Sequence, residues 1–338
     1  MKKTTIEDIA KQAGVSIKTV SRVFNHEPNV KDATREKVLQ AAEAMNYRPN
    51  LSARSLASNK SFILVHFHEN PNPDYLERIN QGLHKASRAA GYFSVNEPFL
   101  AENGPYAEQA ASYLTQFHID GAILSPPLCD DVDLIETLIS KNTPFVRISP
   151  QYQQNLSSRA YIDDEVASTM MTEHLIELGH RDIAFITGPE NHGSSRDREA
   201  GFLKSIIRAG LSKDTCPIAH GDFSFRSGFE AFSALRKSGH KFTAIFAAND
   251  EMAVGVMMSA MKAGFDIPHD ISIAGFDGSR ISDIIWPRLT TIRQPIRDIA
   301  QRATNILLEH LRNPSKANVH DMLPTTLLVR ASTASPPS

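Results

Sequence analysis

The chain has 338 residues, of which 41% are hydrophobic and 22% are charged, and its formal net charge is −2. This length and composition indicate a globular protein of two or three domains, and they exclude a disordered, collagen-like or coiled-coil chain. The charge is unevenly distributed, because residues 1–60 sum to +5 and the other 278 residues sum to −7. A basic head on an acidic body favours a polyanionic partner for the head alone, with a merely well-solvated terminus as the alternative.

Cysteine content and hydropathy indicate the compartment. The two cysteines, Cys129 and Cys216, are too few for a disulfide framework. No apolar signal-peptide segment follows Lys2 and Lys3, and no stretch reaches the ~18–20 apolar residues of a membrane span. We therefore expect a cytoplasmic protein with no membrane partner.

The head begins with two short amphipathic helices. The apolar residues of the first helix follow helical spacing, at Ile6, Ile9, Ala10 and Ala13. Thr5 and Asp8 form a capping-box-like pair at its start, and Gly14 is a stop signal at its end. Ser16 then caps a second helix whose apolar face is Val20, Val23 and Phe24. Two helices joined by a turn of about three residues are typical of a helix-turn-helix.

A third amphipathic segment runs from about Asp32 to Asn46. Its predicted buried residues are Val38, Leu39, Ala42 and Met45. A plain three-helix bundle with a solvated face has the same spacing, so spacing alone leaves both interpretations open.

The outer face of the second helix carries side chains that suit DNA. Arg22 can donate two hydrogen bonds to guanine, Lys18 can donate to guanine or phosphate, and Ile17 can contact a thymine methyl group. Polar side chains elsewhere in the head suit phosphate contacts, which set register rather than sequence preference. The predicted phosphate contacts are Thr5, Ser16, Thr19, Ser21, Asn25, Thr34, Tyr47 and Asn50.

Residues 5–57 resemble the headpiece of the lac-repressor (LacI/GalR) family. The matching segments are Thr5-Ile6-Glu7-Asp8-Ile9-Ala10, Ala13-Gly14-Val15-Ser16, Thr19-Val20-Ser21-Arg22-Val23, Thr34-Arg35-Glu36-Lys37-Val38, Asn46-Tyr47-Arg48-Pro49-Asn50 and Ala53-Arg54-Ser55-Leu56-Ala57. The resemblance implies a DNA-binding headpiece at residues 1–49. Lys31 stands where the family often has a serine that caps the third helix, and Asp32 is the alternative cap.

Residues 50–60 are predicted to be a hinge helix and linker. The helix-capable part is residues 50–58, and nine residues are too few for a stable isolated helix. The resemblance implies that this segment folds on DNA, pairs with its twin and enters the minor groove. Leu56 would then wedge between base steps, and Ala53 would lie near the groove floor. A flexible linker is the alternative.

From residue 62 onward, short apolar runs alternate with helical stretches. The predicted strands are Phe62–Phe67, Tyr92–Val95, Gly121–Leu124, Phe145–Ile148, Ile183–Thr187, Pro217–His220, Ala244–Ala247 and Ile271–Phe276. The predicted helices include Tyr75–Ala90, Glu165–Leu178, Asp197–Ala209, Ser227–Lys237 and Glu251–Ala263. This alternation predicts an α/β body of two doubly wound, parallel-sheet subdomains.

Polar and aromatic residues recur just after the predicted strands, where ligands of such sheets bind. They include Glu69, Asn70, Ser125, Arg147, Arg198, Phe223, Asn249 and Asp277. Hydrogen-bonding groups beside an aromatic ring suit a sugar. The alternative for Asn249 is a helix cap.

The body resembles the same family more loosely, and the resemblance implies a periplasmic-binding-protein-like fold. Its anchors include Ile186-Thr187-Gly188-Pro189, Arg198-Glu199-Ala200-Gly201-Phe202, Ala248-Asn249-Asp250-Glu251 and Gly275-Phe276-Asp277. The implied effector contacts are Arg198, Phe223, Asn249, Asp277 and Gln294. Glu69, Asn70, Ser125 and Arg147 rest mainly on strand-end position. Gly278 stands where many relatives carry a second aspartate.

The resemblance also implies how residues 61–330 divide. We expect one subdomain at about 61–161 and 294–322 and the other at about 163–291 and 324–330. The three crossings lie near Tyr161–Asp163, Thr291–Gln294 and Leu323–Thr325. Residues 331–338 are predicted to be a disordered tail. It contains no leucine heptads, which predicts a homodimer rather than a coiled-coil tetramer.

Enzyme signatures are missing from the sequence: it has no G-x-x-x-x-G-K-[ST], G-x-G-x-x-G, G-x-S-x-G or H-E-x-x-H motif. A metal pair at His66 and His68 is the minor alternative to ordinary strand histidines, so no metal or other cofactor is expected. We predict a transcriptional regulator, more specifically a repressor, that binds a pseudo-palindromic operator as a dimer under the control of a small-molecule effector of the sugar class. A cytoplasmic sugar-binding protein or an enzyme on the same fold is the alternative.

Overall fold

A computed structural model describes residues 4–24, 29–47, 55, 58, 60–69, 72–212 and 214–337 of the chain. Five of the predicted site residues lie outside these ranges: Asn25, Asn50, Ala53, Leu56 and Asn70. Most of the predicted hinge also lies outside them. In the described ranges, no helix is both long enough and apolar enough to cross a membrane.

The headpiece consists of three helices, α1 (Ile6–Ala13), α2 (Ile17–Phe24) and α3 (Asp32–Ala44). Thr5 and Asp8 form the predicted capping box. Gly14 ends α1 in the left-handed conformation, with φ of 67°, which glycine adopts at little cost. The Oγ of Ser16 accepts a hydrogen bond from the amide of Thr19 at 3.1 Å, so the short turn into α2 is capped as predicted. The core of the headpiece contains Ile9, Ala10, Val20, Val23, Val38, Ala41 and Ala42.

The third helix differs from its prediction in two ways. Leu39 is 49% exposed, and Ala41 lies in the core. Lys31 occupies the N-cap position without a side-chain hydrogen bond, and Asp32 is already the first helical residue. The predicted Asp32 cap is therefore wrong, and no side chain caps the start of α3.

The body alternates strands and helices. Its strands are β1 (Ile63–His68), β2 (Phe93–Pro98), β3 (Gly121–Leu124), β4 (Phe145–Ile148), β5 (Arg159–Tyr161), β6 (Ile183–Thr187), β7 (Ile218–His220), β8 (Ala244–Ala247), β9 (Ser272–Asp277), β10 (Thr290–Arg293), β11 (His320–Met322) and β12 (Thr326–Leu328). Its helices are α4 (Pro73–Ala89), α5 (Tyr106–Gln116), α6 (Val132–Ser140), α7 (Asp164–Glu177), α8 (Gly193–Arg208), α9 (Phe225–Lys237), α10 (Asp250–Lys262), α11 (Arg280–Ile284) and α12 (Ile296–Arg312). Two 3₁₀ turns cover Ala101–Asn103 and Leu128–Asp130.

The strands form two six-stranded sheets, one in each subdomain. The first sheet has the order β11-β5-β4-β3-β1-β2, and the second has the order β12-β10-β9-β8-β6-β7. All pairs are parallel except β10 with β12. The central strands β3, β6 and β8 are buried along their whole length, as expected for strands covered on both faces.

The chain passes three times between the two sheets. The passages lie between β5 and α7, between β10 and α12, and between β11 and β12. The helix α12 therefore returns to the first subdomain, where it packs against α4. The two helices approach closely at Gly82, because a Cβ there would lie 2.2 Å from the carbonyl oxygen of Arg297.

The C-terminal segment contradicts the predicted disordered tail, because residues 331–337 lie against the second subdomain. Ser332 is fully buried, and its Oγ accepts a hydrogen bond from the amide of Thr290 at 2.8 Å. The carbonyl oxygen of Ala334 lies 2.9 Å from the Nε2 of His180 and accepts a hydrogen bond from Ser272. A run of small polar residues is typical of a disordered segment, but here Ser332 hydrogen-bonds to backbone groups near the amino-terminal ends of β9 and β10.

Candidate functional site

A cavity of about 350 Å³ lies between the two subdomains, beyond the carboxyl ends of strands of both sheets. The first subdomain contributes Asn72, Pro73, Tyr75, Pro126 and Ser149 to its lining. The second subdomain and its boundaries contribute Asp164, Pro189, His192, Ser194, Arg198, Asp222, Phe223, Ser224, Phe225, Asn249, Glu251, Asp277 and Gln294. Five predicted effector contacts, Arg198, Phe223, Asn249, Asp277 and Gln294, therefore lie around one cavity.

Arg198 lies on the inner face of α8, and its side chain is only 7% exposed. Its Nε donates to Asp164 at 2.8 Å, and its Nη1 donates to the carbonyl oxygen of Ala248 at 2.6 Å. The guanidinium also stacks over the ring of Phe276, 3.8 Å from its centroid. These contacts fix the guanidinium 4.0 Å from the carboxylate of Asp277, so both charges are positioned before any ligand arrives.

Asp277 ends β9 with a φ of 118°, a left-handed conformation that few non-glycine residues adopt. Its carboxylate accepts a hydrogen bond from the Nε2 of Gln294 at 2.6 Å. Asp250 lies behind it and accepts hydrogen bonds from Ser279 and Thr291, which hold the loop after β9. Burial raises the pKa of Asp277 and of Asp250 above the usual 3.8, because the charged form is poorly solvated there.

Asn249 has both of the roles that its position allows. Its Oδ1 accepts from the amide of Met252 at 2.9 Å and caps α10, while its Nδ2 donates to the carbonyl oxygen of Phe223 at 2.9 Å. Phe223 itself is left-handed, with φ of 67°, and His192 meets its ring edge-to-face at a centroid distance of 5.3 Å. The helix cap thus also holds the aromatic wall of the cavity in place.

The imidazole of His192 forms part of the same wall. Burial, together with the nearby charge of Arg198, lowers the pKa of His192 to about 4. The ring is therefore neutral at pH 7, and it can both donate and accept a hydrogen bond.

Three predicted effector contacts do not line the cavity. Arg147 is fully buried, and its guanidinium donates to Ser157 and to the backbone carbonyls of Cys129, Tyr152 and Gln153. It therefore holds the loop after β4. Ser125 is buried 2.9 Å from the Nε2 of His66, and Glu69 accepts a short hydrogen bond from the hydroxyl of Tyr106. Their strand-end positions are as expected, but their side chains are used inside the first subdomain.

His66 and His68 on β1 are also buried inside the first subdomain. The rings of His66 and His68 stack at 5.1 Å, and the Nδ1 of His66 lies 3.1 Å from Asn96. Burial, with His68 alongside, lowers the pKa of His66 to about 3. Over the ranges that the structure covers, no group of histidine, cysteine and carboxylate side chains is arranged to hold a metal ion.

Several lining residues were not predicted from the sequence. Tyr75 lies in the first turn of α4, and Asp164 starts α7 just after β5, a strand that the sequence pattern did not reveal. Glu251 follows the predicted Asn249 by two residues on α10. Asp164 could have been predicted only from its position after β5. That strand has three residues, so its own sequence pattern is weak.

The helix α2 presents one exposed face of the headpiece. Ile17 is 48% exposed, and Lys18 and Arg22 are also exposed, while Val20 and Val23 face the core. The hydroxyls of Ser16 and Thr19 lie 2.9 Å apart at the start of this helix. Tyr47 packs against Phe24 at a centroid distance of 5.7 Å, so its ring supports the headpiece core. Of the other predicted phosphate contacts in the described head, Thr5 is exposed, and Ser21 and Thr34 are half-buried.

Comparison with known proteins agrees with both halves of this architecture. A family model described as "Bacterial regulatory proteins, lacI family" matches residues 5–50, and one described as "Periplasmic binding protein-like domain" matches residues 172–333. The chain is 32% identical to the probable HTH-type transcriptional repressor ExuR of Bacillus subtilis (strain 168), over 97% of this chain and 98% of that protein.

Two solved structures show the same fold. The lac repressor dimer bound to operator and the anti-inducer ONPF has a TM-score of 0.77 and 30% identity, covering 98% of this chain and 100% of that one. The CelR–cellobiose complex has a TM-score of 0.74 and 27% identity with the same coverage.

The predicted fold and family are thus confirmed, and the relative that matches over 98% of its length is named a probable transcriptional repressor, not an enzyme. The chain belongs to the lacI family of bacterial regulatory proteins, as a DNA-binding transcriptional regulator whose helix-turn-helix head is joined to a two-subdomain, periplasmic-binding-protein-like body.

Proposed function

We propose that this regulator is a cytoplasmic repressor that binds a pseudo-palindromic operator as a homodimer. In this proposal, a sugar or sugar derivative in the cavity between its subdomains changes its affinity for DNA. The observation that carries the proposal is the cluster of Arg198, Asn249, Asp277 and Gln294, which faces a cavity bounded by both subdomains. A ligand held there has different contacts in different subdomain arrangements, which is the condition for shifting their equilibrium.

The cavity chemistry supports a polyhydroxylated ligand. Asp277 and Asn249 offer oxygen and amide groups to hydroxyls, and the ring of Phe223 offers an apolar surface to the C–H face of a sugar ring. The related CelR structure contains cellobiose, and the related lac repressor structure contains ONPF. These complexes support a saccharide here without naming which one.

The headpiece supports direct base recognition by α2. Ile17, Lys18 and Arg22 share its exposed face, so they are the proposed base contacts in the major groove. Ala53 and Leu56 are the proposed minor-groove contacts of the hinge. The surrounding hydroxyl and amide side chains, with Tyr47, are the proposed phosphate contacts.

Exposed apolar side chains support the homodimer. Ile284, the last residue of α11, is 66% exposed, and Trp286, just after the helix, is 78% exposed. Phe225, Met258 and Met261 add further exposed apolar surface to the second subdomain. Ile284 and Trp286 lie two residues apart, so they form an exposed apolar pair of the kind that contacts another protein, and a second copy of the chain is the proposed partner.

Thermal unfolding of the full chain with a panel of mono- and disaccharides tests the proposed ligand class. A specific ligand raises the unfolding temperature in a saturable way. The Phe223→Ala variant should lose that response, because it removes the aromatic wall, while the exposed Phe117→Ala variant should keep it. A response that survives in Phe223→Ala would place the ligand elsewhere.

A further inference from the structure

A second cavity of about 420 Å³ lies behind the first, and Gln294 borders both. One side is formed by Asp74 and Arg78 on α4 of the first subdomain. The opposite side is formed by Gly278 and Arg280 after β9 and by Arg293 at the end of β10, all in the second subdomain. The wall of this cavity therefore depends on how the two subdomains are arranged.

The wall of the second cavity is rich in arginine. Arg78 is already engaged, because it pairs with Asp74 at 2.8 Å and donates to the carbonyl oxygens of Asp277 and Gly278. Arg280, Arg293 and Arg297 also line the cavity, and within the described part of the chain none of the three forms an ion pair.

Carboxylates do not balance these arginines. Beyond Asp74, the described lining contains one carboxylate, Asp298. Arg280, Arg293 and Arg297 are exposed residues of the lining, so the second cavity is open to solvent, and a single carboxylate remains there against three arginines.

The backbone adds positive potential at the same place. The 17-residue helix α12 begins at Ile296, and its N-cap residue is Pro295, which makes no side-chain cap. Arg297 and Asp298, in the first turn of this helix, line the cavity. The positive end of the helix dipole and the N–H groups of its first turn add to the arginine charge there, and Asp298 in the same turn offsets part of it.

Gly278 allows the stem of Arg293 to lie close to the loop after β9. Its φ is +58°, and a Cβ at this position would lie 2.7 Å from the Cβ of Arg293. Glycine thus lets Arg293 pack directly on the loop, and it leaves no side chain there that could neutralise the guanidinium.

We propose that this second cavity binds a multiply charged small anion, of the phosphate-ester or diphosphate class, independently of the ligand in the first cavity. Guanidinium groups bind phosphate oxygens through paired hydrogen bonds, and an uncapped helix start favours the same ligand. Since Arg280 and Arg293 belong to one subdomain and α12 begins at the passage into the other, the anion bridges the two and favours one arrangement.

Calorimetric titration of the full chain with inorganic pyrophosphate, at constant ionic strength, tests this site. We expect saturable binding at one site per chain. The double variant Arg280→Gln/Arg293→Gln should weaken it at least tenfold. The control Arg208→Gln/Arg226→Gln removes two exposed arginines of the same subdomain from surface ion pairs, and it should bind like the parent protein.

Three results would overturn the proposal. The first is weak, unsaturable binding that is equal in all variants, which would mean an adventitious ion only. The second is loss of pyrophosphate binding in Phe223→Ala, which would place the anion in the first cavity. The third is a change of oligomeric mass of the Arg280→Gln/Arg293→Gln protein in sedimentation, which would mean that a second copy of the chain occupies these arginines. A sugar response can fail without affecting any of these readouts, so the two proposals fail separately.

Discussion

Asp277 combines a strained backbone, a buried charge and contacts to both a cation and an amide. Its φ of 118° is maintained by the loop that Asp250 holds, and its carboxylate lies between Arg198 and Gln294. Asparagine tolerates a positive φ better than most residues, so Asp277→Asn changes the charge with little backbone disturbance.

For Asp277→Asn we expect ligand affinity to fall roughly 10- to 150-fold, from the loss of a charge-assisted hydrogen bond worth ~1.5–3 kcal/mol. Operator affinity without ligand should stay at the parent value, because the headpiece is untouched. The surface variant Asp133→Asn is the matched control, since Asp133 is exposed on α6 and lines neither cavity. Calorimetry measures ligand affinity, and DNA anisotropy on the same preparations measures operator affinity. If Asp277→Asn bound the ligand as tightly as the parent protein does, this carboxylate would not be part of the site.

Arg22 is the side chain of α2 with the most specific predicted role. Arg22→Ala should cost ~1–3 kcal/mol of operator binding and relax the preference at one base pair of each half-site. Lys11→Ala removes an exposed charge from α1 and should weaken binding to all sequences alike. Selection of bound duplexes from a random pool measures the preference. If Arg22→Ala lost affinity uniformly across sequences, Arg22 would contact phosphate only.

For single residues, the sequence predicted the end of the sheet at which a residue lies better than it predicted which way the side chain points. Arg198, Asn249, Asp277 and Gln294 reach the cavity, whereas Arg147 turns inward to four oxygen acceptors of its own subdomain. A strand end specifies the edge of the sheet on which a residue lies. It leaves open which face the side chain takes and what loop packs over it, and those depend on tertiary structure.

Among the structural elements, the C-terminal segment has a stabilising role that composition hides. The Oγ of Ser332 accepts from the amide of Thr290 and donates to the carbonyl oxygen of Ile273 in a buried position. Ser332→Ala leaves both backbone groups without this partner. We expect it to lower the free energy of unfolding by ~1–3 kcal/mol.

The matched control for this substitution lies three residues away. Ser335 belongs to the same segment but is exposed, so Ser335→Ala should stay within about 0.5 kcal/mol of the parent protein. Urea unfolding of the full chain compares the two variants. Equal stabilities for Ser332→Ala and Ser335→Ala would restore the interpretation of this segment as a disordered tail.

Buried strands of four or five residues were predicted more accurately than strands of three residues. Gly121–Leu124, Phe145–Ile148, Ile183–Thr187 and Ala244–Ala247 have the predicted bounds, because a continuous apolar run in a buried parallel strand is a strong signal. The strands β5, β11 and β12 have three residues each, and β11 and β12 are outer strands with exposed residues. Such short strands form through pairing with a neighbour, so their own sequence carries little signal.

For the whole molecule, the stability of the first subdomain should depend on His66. Burial beside His68 lowers the pKa of His66 from 6.5 to about 3, so the unfolded chain binds this proton at a higher pH than the native chain does. The free energy of unfolding should therefore fall as the pH drops below about 6.5. The slope approaches ~1.4 kcal/mol per pH unit from this one group.

His66→Gln removes that titration and keeps groups able to bond Asn96 and Ser125. Between pH 7 and pH 5, the variant should lose about 2 kcal/mol less stability than the parent chain. The exposed His118→Gln variant should follow the parent curve. Parallel curves for all three proteins in urea unfolding would contradict a buried neutral imidazole at His66.

The net charge of −2 is a sum over two parts with different partners. The +5 of residues 1–60 belongs to the head that binds DNA, and the −7 of the remainder belongs to the body that encloses the ligand cavity. An acidic body is repelled by DNA, so the contact with nucleic acid is confined to the head and hinge. Regulation then requires that a ligand in the cavity change the relative position of the two heads of the dimer.

The coupling between the two parts is measured directly by operator affinity with and without ligand. Fluorescence anisotropy of the full chain, on a duplex selected from a random pool, is recorded at fixed salt with and without a saturating saccharide that raises the unfolding temperature. We predict a 5- to 150-fold change in affinity, which corresponds to a coupling of ~1–3 kcal/mol, and Asp277→Asn should need roughly 10- to 150-fold more saccharide for the same change. An operator affinity that is the same with and without bound saccharide would mean that the cavity does not regulate DNA binding.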